Sequence, residues 1–220
     1  DKLIEKYKSI FLTLDPSVTD VRPFQWYNFQ KSGPKFKIDI KYTSILDISE
    51  LRKNLNFEKS KIFNQLEPVR RYSIRQAIKE KCSTKSVYEK DNFLILYKSL
   101  LKKINPDSYQ NKLKIVSDLV QSILDKEKGV IVNTYDVNNN LLYSIFCAWD
   151  YYKAYYLFGA PSDKHNKPWQ GTIGQWAVFR YIVENTNINK FDFEGVNSPK
   201  RGWFKLGFGG EIVPYYQVKI

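Results

Sequence analysis

Residues 129–220 constrain this chain more than any other stretch, because their apolar patterning fixes an order of elements that few architectures accept. Val130 to Tyr135 and Leu141 to Trp149 are strand-like runs on either side of Asp136-Val137-Asn138-Asn139-Asn140, a turn composition, and predict a hairpin. Lys153 to Phe158 supplies a third strand. Trp169 to Asn185 has helical periodicity, with Ile173, Trp176, Ala177, Ile182 and Val183 as its buried stripe. Lys190 to Val196 and Glu211 to Val218 are strands on either side of a short helix. A three-strand antiparallel meander followed by a β-α-β crossover predicts an α/β (α+β) protein whose mixed, mostly antiparallel sheet is flanked by helices.

The preceding residues repeat that order in part. Lys2 to Ser9 reads as a helix, Ile10 to Leu14 as a strand, and Val21 to Phe29 as a short helix or loop. Phe36 to Ile48 alternates as a strand, with Phe36, Ile38, Ile40 and Tyr42 on one face. Ser49 starts a short helix. A longer helix is predicted from Phe57 to Lys81, interrupted near Glu67-Pro68, with Val69, Tyr72, Ile74 and Ile78 as its apolar side. Ser83 to Tyr88 is a strand, and Asp91 to Lys103 and Tyr109 to Lys126 are amphipathic helices.

Charge narrows the partners. Lys and Arg number 35 against 23 Asp and Glu, a net charge of +12. Such a surface suits nucleic acid, nucleotide-sugar phosphates, coenzyme A or an anionic membrane face; the alternative is a solvated, Lys-rich exterior. No basic run exceeds two residues, which argues against a DNA-binding arm. Cys82 and Cys147 belong to no CxxC or Cys/His cluster, so no metal is expected, and both read as reduced thiols of a cytoplasmic protein. No stretch reaches the length of a membrane span, and the opening residues do not read as a signal peptide. The chain contains no Met, and its start at Asp1 reads as that of a fragment.

The segment Phe191-Asp192-Phe193-Glu194-Gly195 through Phe204-Lys205-Leu206-Gly207-Phe208-Gly209, with Pro214-Tyr215-Tyr216 after it, resembles the C-terminal motif of the FemAB-like branch of the GNAT acyltransferase superfamily. Arg70 to Lys79 is similar to that branch's R-x-x-[IV]-R-x-A helix, and Tyr42-Thr43 leading to Leu46-Asp47 to the strand end before it. The resemblance implies a double GNAT-like arrangement, with residues 1–88 as an incomplete first unit and 89–220 as the second. It implies an N-acyltransferase moving an acyl group, from acyl-CoA, to an amine of a sugar or peptide cell-envelope precursor in a bacterium. It places such an enzyme in the cytoplasm or at the inner face of the membrane. Charged tRNA is the alternative donor, as for a ligase building peptidoglycan bridges. A GNAT-like module that binds without chemistry is the third reading. The chain departs from the acetyl-CoA-binding [QR]-x-x-G-x-[GA] loop, having Trp169-Gln170-Gly171-Thr172-Ile173-Gly174 there.

The residues themselves suggest a site. Asp192 and Glu194, two apart on a strand, would share a face and give one carboxyl a raised pKa, suited to taking a proton from an amine; otherwise Asp192 braces the following turn. Asn197, Lys200, Arg201 and Lys205 offer an amide and cations to a phosphate or carboxylate, or are solvated surface. Arg71 and Arg75 share a helical face and form a second cationic pair with the same two readings. Gln170, Gly171, Thr172 and Gly174 form a glycine-containing helix start that can hold a donor phosphate. Tyr155 and Tyr156 alternate, so one faces a cleft and the other the core; Trp26 and Tyr27 are further cleft candidates. His165, the only histidine, lies in a polar loop, where exposure is the simpler reading.

Overall fold

The computed structural model describes residues 2–53 and 57–220. The first part comprises α1 (Lys2–Lys6), β1 (Phe11–Thr13), α2 (Arg22–Gln25), β2 (Lys37–Asp47), α3 (Lys61–Gln65), α4 (Pro68–Lys79) and β3 (Ser83–Val87). Two antiparallel helices follow, α5 (Asp91–Ile104) and α6 (Tyr109–Leu124). The remainder is β4 (Gly129–Tyr135), β5 (Leu141–Trp149), β6 (Lys153–Pro161), α7 (Gln170–Asn185), β7 (Lys190–Asp192), α8 (Pro199–Leu206) and β8 (Glu211–Lys219). The order expected for residues 129–220 is the order found.

Eight strands of the described residues form one sheet, β1-β8-β2-β7-β6-β5-β4-β3. Among its neighbouring pairs only β6 and β7 run parallel. The last strand inserts between two of the earliest, because β8 pairs with both β1 and β2. Strands of residues 1–88 and of residues 89–220 therefore share one sheet.

Helices cover the sheet unequally. On one face α7 packs across β4 and β5, with α4 against it. This core is dense in aromatic rings: Phe179 meets Phe191, Phe193 and Phe208 edge-on at 4.9, 5.9 and 5.7 Å. Each fully buried Phe contributes on the order of 2–3 kcal/mol of transfer free energy, so this cluster anchors β7 and the chain around α8 to α7. Gly174 lets α7 sit close, since a Cβ there would stand 2.9 Å from the Thr134 hydroxyl. On the other face α5 and α6 cover β4 to β6 around Phe93 and Phe146.

The apolar side expected for α4 is not the buried one. Val69, Tyr72 and Ile78 are exposed, while Arg70, Ser73, Ile74 and Ala77 are buried. Arg70 lies with its guanidinium carbon 4.5 Å from the Trp203 ring and 4.6 Å from that of Phe204. Aromatic faces from α8, distant in sequence, make burial of a cationic residue favourable on the side that periodicity assigns to solvent. At the β1–β8–β2 end, Ile40 and Ile212 are 57% and 54% exposed, so the alternating face of β2 is only partly core.

One irregularity shapes the centre of the sheet. Phe146 pairs with Phe158 and Cys147 with Tyr156, so Leu157 is an extra residue in β6. A bulge of this kind bends its strand and increases the local twist. The parallel pairing of β6 with β7 spans only Lys153–Tyr155 against Lys190–Asp192. β7 ends at Asp192, opposite Tyr155, so beyond Tyr155 the β6 edge that faced β7 has no strand partner among the described residues.

Candidate functional site

The chain leaves β7 abruptly after Asp192. Glu194 has φ 53° and Gly195 φ 38°, two successive left-handed residues that end the extended backbone. A non-glycine residue there is held by its surroundings: Asp192 Oδ1 accepts the Glu194 amide at 2.9 Å. Asp192 and Glu194 are thus not two positions on one strand face, because β7 stops at Asp192. Gly202 then lets α8 return against this turn, since a Cβ would lie 2.5 Å from the Val196 carbonyl oxygen.

Asp192 is 3% exposed and fully engaged. Its Oδ1 also accepts the Thr43 hydroxyl at 2.5 Å, and its Oδ2 lies 3.3 Å from Lys153 Nζ. Lys153 bridges in turn to Asp15 at 3.3 Å. Burial opposes the charge on Lys153, yet the neighbouring Asp192 and Asp15 carboxylates raise its pKa overall. Tyr155, on the same side of β6, donates its hydroxyl to Asp150 at 2.6 Å, and burial together with that carboxylate holds the phenol in its neutral form. Asp15, Thr43, Lys153, Tyr155 and Asp192, with Glu194 and Tyr215, line a polar cavity of about 270 Å³. Glu194 is an exposed residue at the edge of that cavity. Loss of hydration against the cavity walls, and then the charge of Asp192, raise its pKa above the ordinary range.

On the other side of the turn lies a second cavity, of about 390 Å³. Leu100, Leu101 and Ile104 of α5 and Tyr143, Tyr156 and Leu157 of the sheet give it an apolar wall, while Lys200, Arg201 and Lys205 of α8 add cations. Lys205 divides the two spaces. Its ammonium donates to the Glu194 carbonyl and, at 3.2 Å, to the Gly195 carbonyl, and sits 5.3 Å from the Tyr156 ring centre. Burial lowers its pKa from 10.5 to about 8. An ammonium carries three N–H donors, so one remains beyond the two carbonyls.

Several predicted residues stand elsewhere. Arg71 donates to the Asn64 and Leu66 carbonyls at 2.8 and 2.6 Å, capping the end of α3. Arg75 pairs with Glu58 at 3.3 Å and covers the Phe63 ring. Neither lines any of these cavities. Asn197 binds both backbone groups of Tyr42, at 2.8 and 3.0 Å, and so fastens the turn to β2. The α7 start is closed: Gln170 is 6% and Thr172 1% exposed, Gln170 accepts the Lys167 amide, and Thr172 accepts from Arg70. Gly171 faces Tyr143 and Phe204, and Gly174 faces the sheet. These four residues pack the helix and present no open phosphate seat. Tyr155 and Tyr156 each border a cavity, on different sides of β6. Trp26 and Tyr27 do not join them; they pack with Arg22 and Phe36. His165 is exposed in its loop.

Sequence reasoning passed over Lys153, Asp150, Asp15 and Thr43. Lys153 and Tyr155 have the same-face spacing of a strand, a signal that was present but shared by many exposed strands. Asp15 and Thr43 reach the site only through sheet pairing. Among the described residues no three His, Cys, Asp or Glu side chains are grouped to hold a metal ion. Cys82 and Cys147 are unpaired thiols, with burial pushing that of Cys82 up to about 11. No helix among the described residues is long and apolar enough to cross a membrane.

No protein-family model matches the sequence, and no curated protein does. Solved structures do. FemX superposes with a TM-score of 0.60 at 13% identity, over 80% of this chain and 61% of FemX. A tandem GNAT protein from the clavulanic acid biosynthesis pathway gives 0.60 at 9% identity, over all of this chain and 66% of that one. A conserved protein of unknown function from Bacteroides thetaiotaomicron gives 0.65 at 12% identity, over 100% and 73%. The fold is GNAT-like, in its FemAB-related form. L-PGS from Bacillus licheniformis shares it more loosely, with a TM-score of 0.52 at 9% identity over 83% of this chain and 61% of that one. The chain thus spans about three fifths of the length of FemX and L-PGS. Strands β6 and β7 lie at the centre of the sheet, and the two cavities lie on either side of the turn where β7 ends.

Proposed function

We propose that this chain transfers an acyl or aminoacyl group from an activated donor to an amine, at the point where β7 ends beside β6. The observation that carries the reading is the pair of cavities meeting at Lys205 and the Glu194–Gly195 turn. The cavity against α5 and α8 suits the donor, with apolar walls for a chain and Lys200, Arg201 and Lys205 for its anionic portion. The cavity lined by Glu194, Tyr155 and Tyr215 suits the amine.

Acyl transfer forms a C–N bond and breaks the donor's C–S or C–O bond. The amine must lose a proton and the leaving group must gain one. Glu194, with its raised pKa, is the group suited to accept the first. Lys205, lowered to about 8, can give its remaining N–H to the developing oxyanion or the leaving atom. The unpaired edge of β6 past Tyr155 adds backbone groups that require no reorganisation. Asp192 holds the turn that orients Glu194, and Thr43 and Lys153 hold Asp192.

Acyl-CoA is the first donor to consider. The closed α7 start removes the helix-end seat for its diphosphate and supports charged tRNA as the second, in keeping with a net charge of +12. A cell-envelope acceptor in a bacterial cytoplasm, or at the inner face of its membrane, follows from the FemAB resemblance. The test is a transfer assay with an acyl-CoA series and with aminoacyl-tRNA, each offered amino-sugar and lysyl-peptide acceptors. Transfer by the wild type, reduced about 100-fold or more in Glu194→Gln, is expected. Absence of transfer from both donor classes would leave a binding module.

A further inference from the structure

A cavity larger than either of these lies beside the amine-side cavity, and the proposed chemistry does not use it. It measures about 1030 Å³ and lies between the β5–β6 turn and the chain entering β7, Asn187 to Lys190. The two spaces share Asp15, Pro16, Lys153 and Tyr155, so they form one trough interrupted by the Lys153 ammonium. At its far end stand Tyr151 and Tyr152, consecutive residues that are 85% and 79% exposed. The Lys128 ammonium lies 5.1 Å from the Tyr151 ring centre, and both rings remain largely open to solvent. The turn itself is held by Asp150, which accepts the Tyr152 and Lys153 amides at 2.6 and 2.8 Å. Exposed rings bordering a polar cleft offer flat apolar faces with a polar edge, at little cost in side-chain entropy.

The charge of the trough opposes that of the molecule. Asp15, Asp150, Asp192 and Glu194 line it against Lys153 and Lys190, four carboxyls to two ammonium groups in a chain of net charge +12. Such a lining selects a cationic or neutral hydroxylated ligand over the anions that the remaining surface attracts. Length adds a further limit. The joined cavities reach from Tyr151 and Tyr152, past Lys153, to Glu194. A single small ring cannot occupy both ends.

We infer that this trough is the acceptor channel for an amino-sugar oligomer, with its sugar faces on Tyr151 and Tyr152 and its amine delivered to Glu194. The inference rests on the transfer reading given above, and it deepens that reading by naming the acceptor class. Binding can be read without donor or turnover, which keeps the two separable. The intact chain is titrated with glucosamine, with a β-1,4-linked glucosamine trimer, with the same trimer fully N-acetylated, and with trilysine, following saturation-transfer NMR and tyrosine fluorescence. The glucosamine trimer is expected to bind at least tenfold more tightly than the monomer and more tightly than the acetylated trimer. Tyr151→Ala/Tyr152→Ala should weaken the trimer about tenfold while leaving the unfolding midpoint unchanged, as both rings are exposed. Tyr151→Phe/Tyr152→Phe should retain most of the affinity. Trimer binding that ignores the double alanine variant, or trilysine binding as tightly as the trimer, overturns the inference. If the trimer binds as expected but no donor supports its acylation, the transfer reading fails and the sugar site stands.

Discussion

Lys205 allows the energetics of the site to be tested through stability alone. The residue is 9% exposed and its pKa falls from 10.5 to about 8 on folding, because burial strips hydration from the ammonium. Between those two values the unfolded chain binds the proton and the folded chain does not, so unfolding free energy must rise with pH across that window. Below pH 8 both states are protonated, and the buried charge costs about 3 kcal/mol, the full shift at 1.36 kcal/mol per unit. Integrating the linkage from pH 7 to 9.5 returns about 2 kcal/mol of that cost. Lys205→Met removes the titration while keeping the length of the stem, so the difference between wild type and variant cancels every other titrating group. At pH 7 the variant escapes the desolvation cost but leaves the Glu194 and Gly195 carbonyls without their donor, at about 1–3 kcal/mol per buried acceptor. Its net effect there should be small. Urea unfolding of both proteins at half-unit steps from pH 7 to 9.5 measures the difference. It should climb by about 2 kcal/mol in favour of the wild type. A flat difference curve refutes the argument, since it would mean that the ammonium is hydrated in the folded protein.

Other perturbations follow from the same geometry. Thr43→Val keeps shape but removes the hydroxyl from the buried Asp192 carboxylate, and should cost about 2 kcal/mol in denaturant unfolding; a cost near zero would show that the contact at 2.5 Å is not formed. Gly202→Ala forces a Cβ against the Val196 carbonyl and should destabilise by about 1–3 kcal/mol, with acyl transfer lost because the Glu194 turn moves; an unchanged melting midpoint would contradict that contact. Arg70 has two guanidinium nitrogens, Nε and Nη2, with no hydrogen-bond partner. Arg70→Met should therefore stay within about 1 kcal/mol of wild type, while Arg70→Ala loses the ring packing and about 3 kcal/mol. Equal losses in the two variants would mean that the charge itself is stabilising.

The hairpin β4–β5, the third strand β6, helix α7 and the final strand were legible because each is specified within its own residues. Alternation, helical period and the Asp136–Asn140 turn act over a few positions. Glu194 and Lys205 were legible as candidates through the motif that contains them, and Tyr155 through strand alternation. The reasons assigned to them were only partly right. Asp192 and Glu194 do not share a strand face, because two left-handed residues end β7 first. Arg71 and Arg75 look identical to a binding pair in sequence, yet the carbonyls of α3 and the Glu58 carboxylate take them up. Gly171 and Gly174 look like a phosphate loop, yet Gly174 lets α7 approach the sheet and Gly171 faces Tyr143 and Phe204.

By itself the sequence determined the element order, the mixed sheet, the basic surface and the motif around Glu194 and Lys205, since these are properties of neighbours along the chain. Only the tertiary structure decided that β8 enters between β1 and β2, that Leu157 bulges from the β5–β6 pairing, that β7 ends opposite Tyr155, and that Asp15, Thr43, Lys153 and Asp192 converge. The physical reason is range. Strand pairing joins residues such as Thr43 and Asp192, 149 positions apart, and no local preference encodes which distant edge a strand will find.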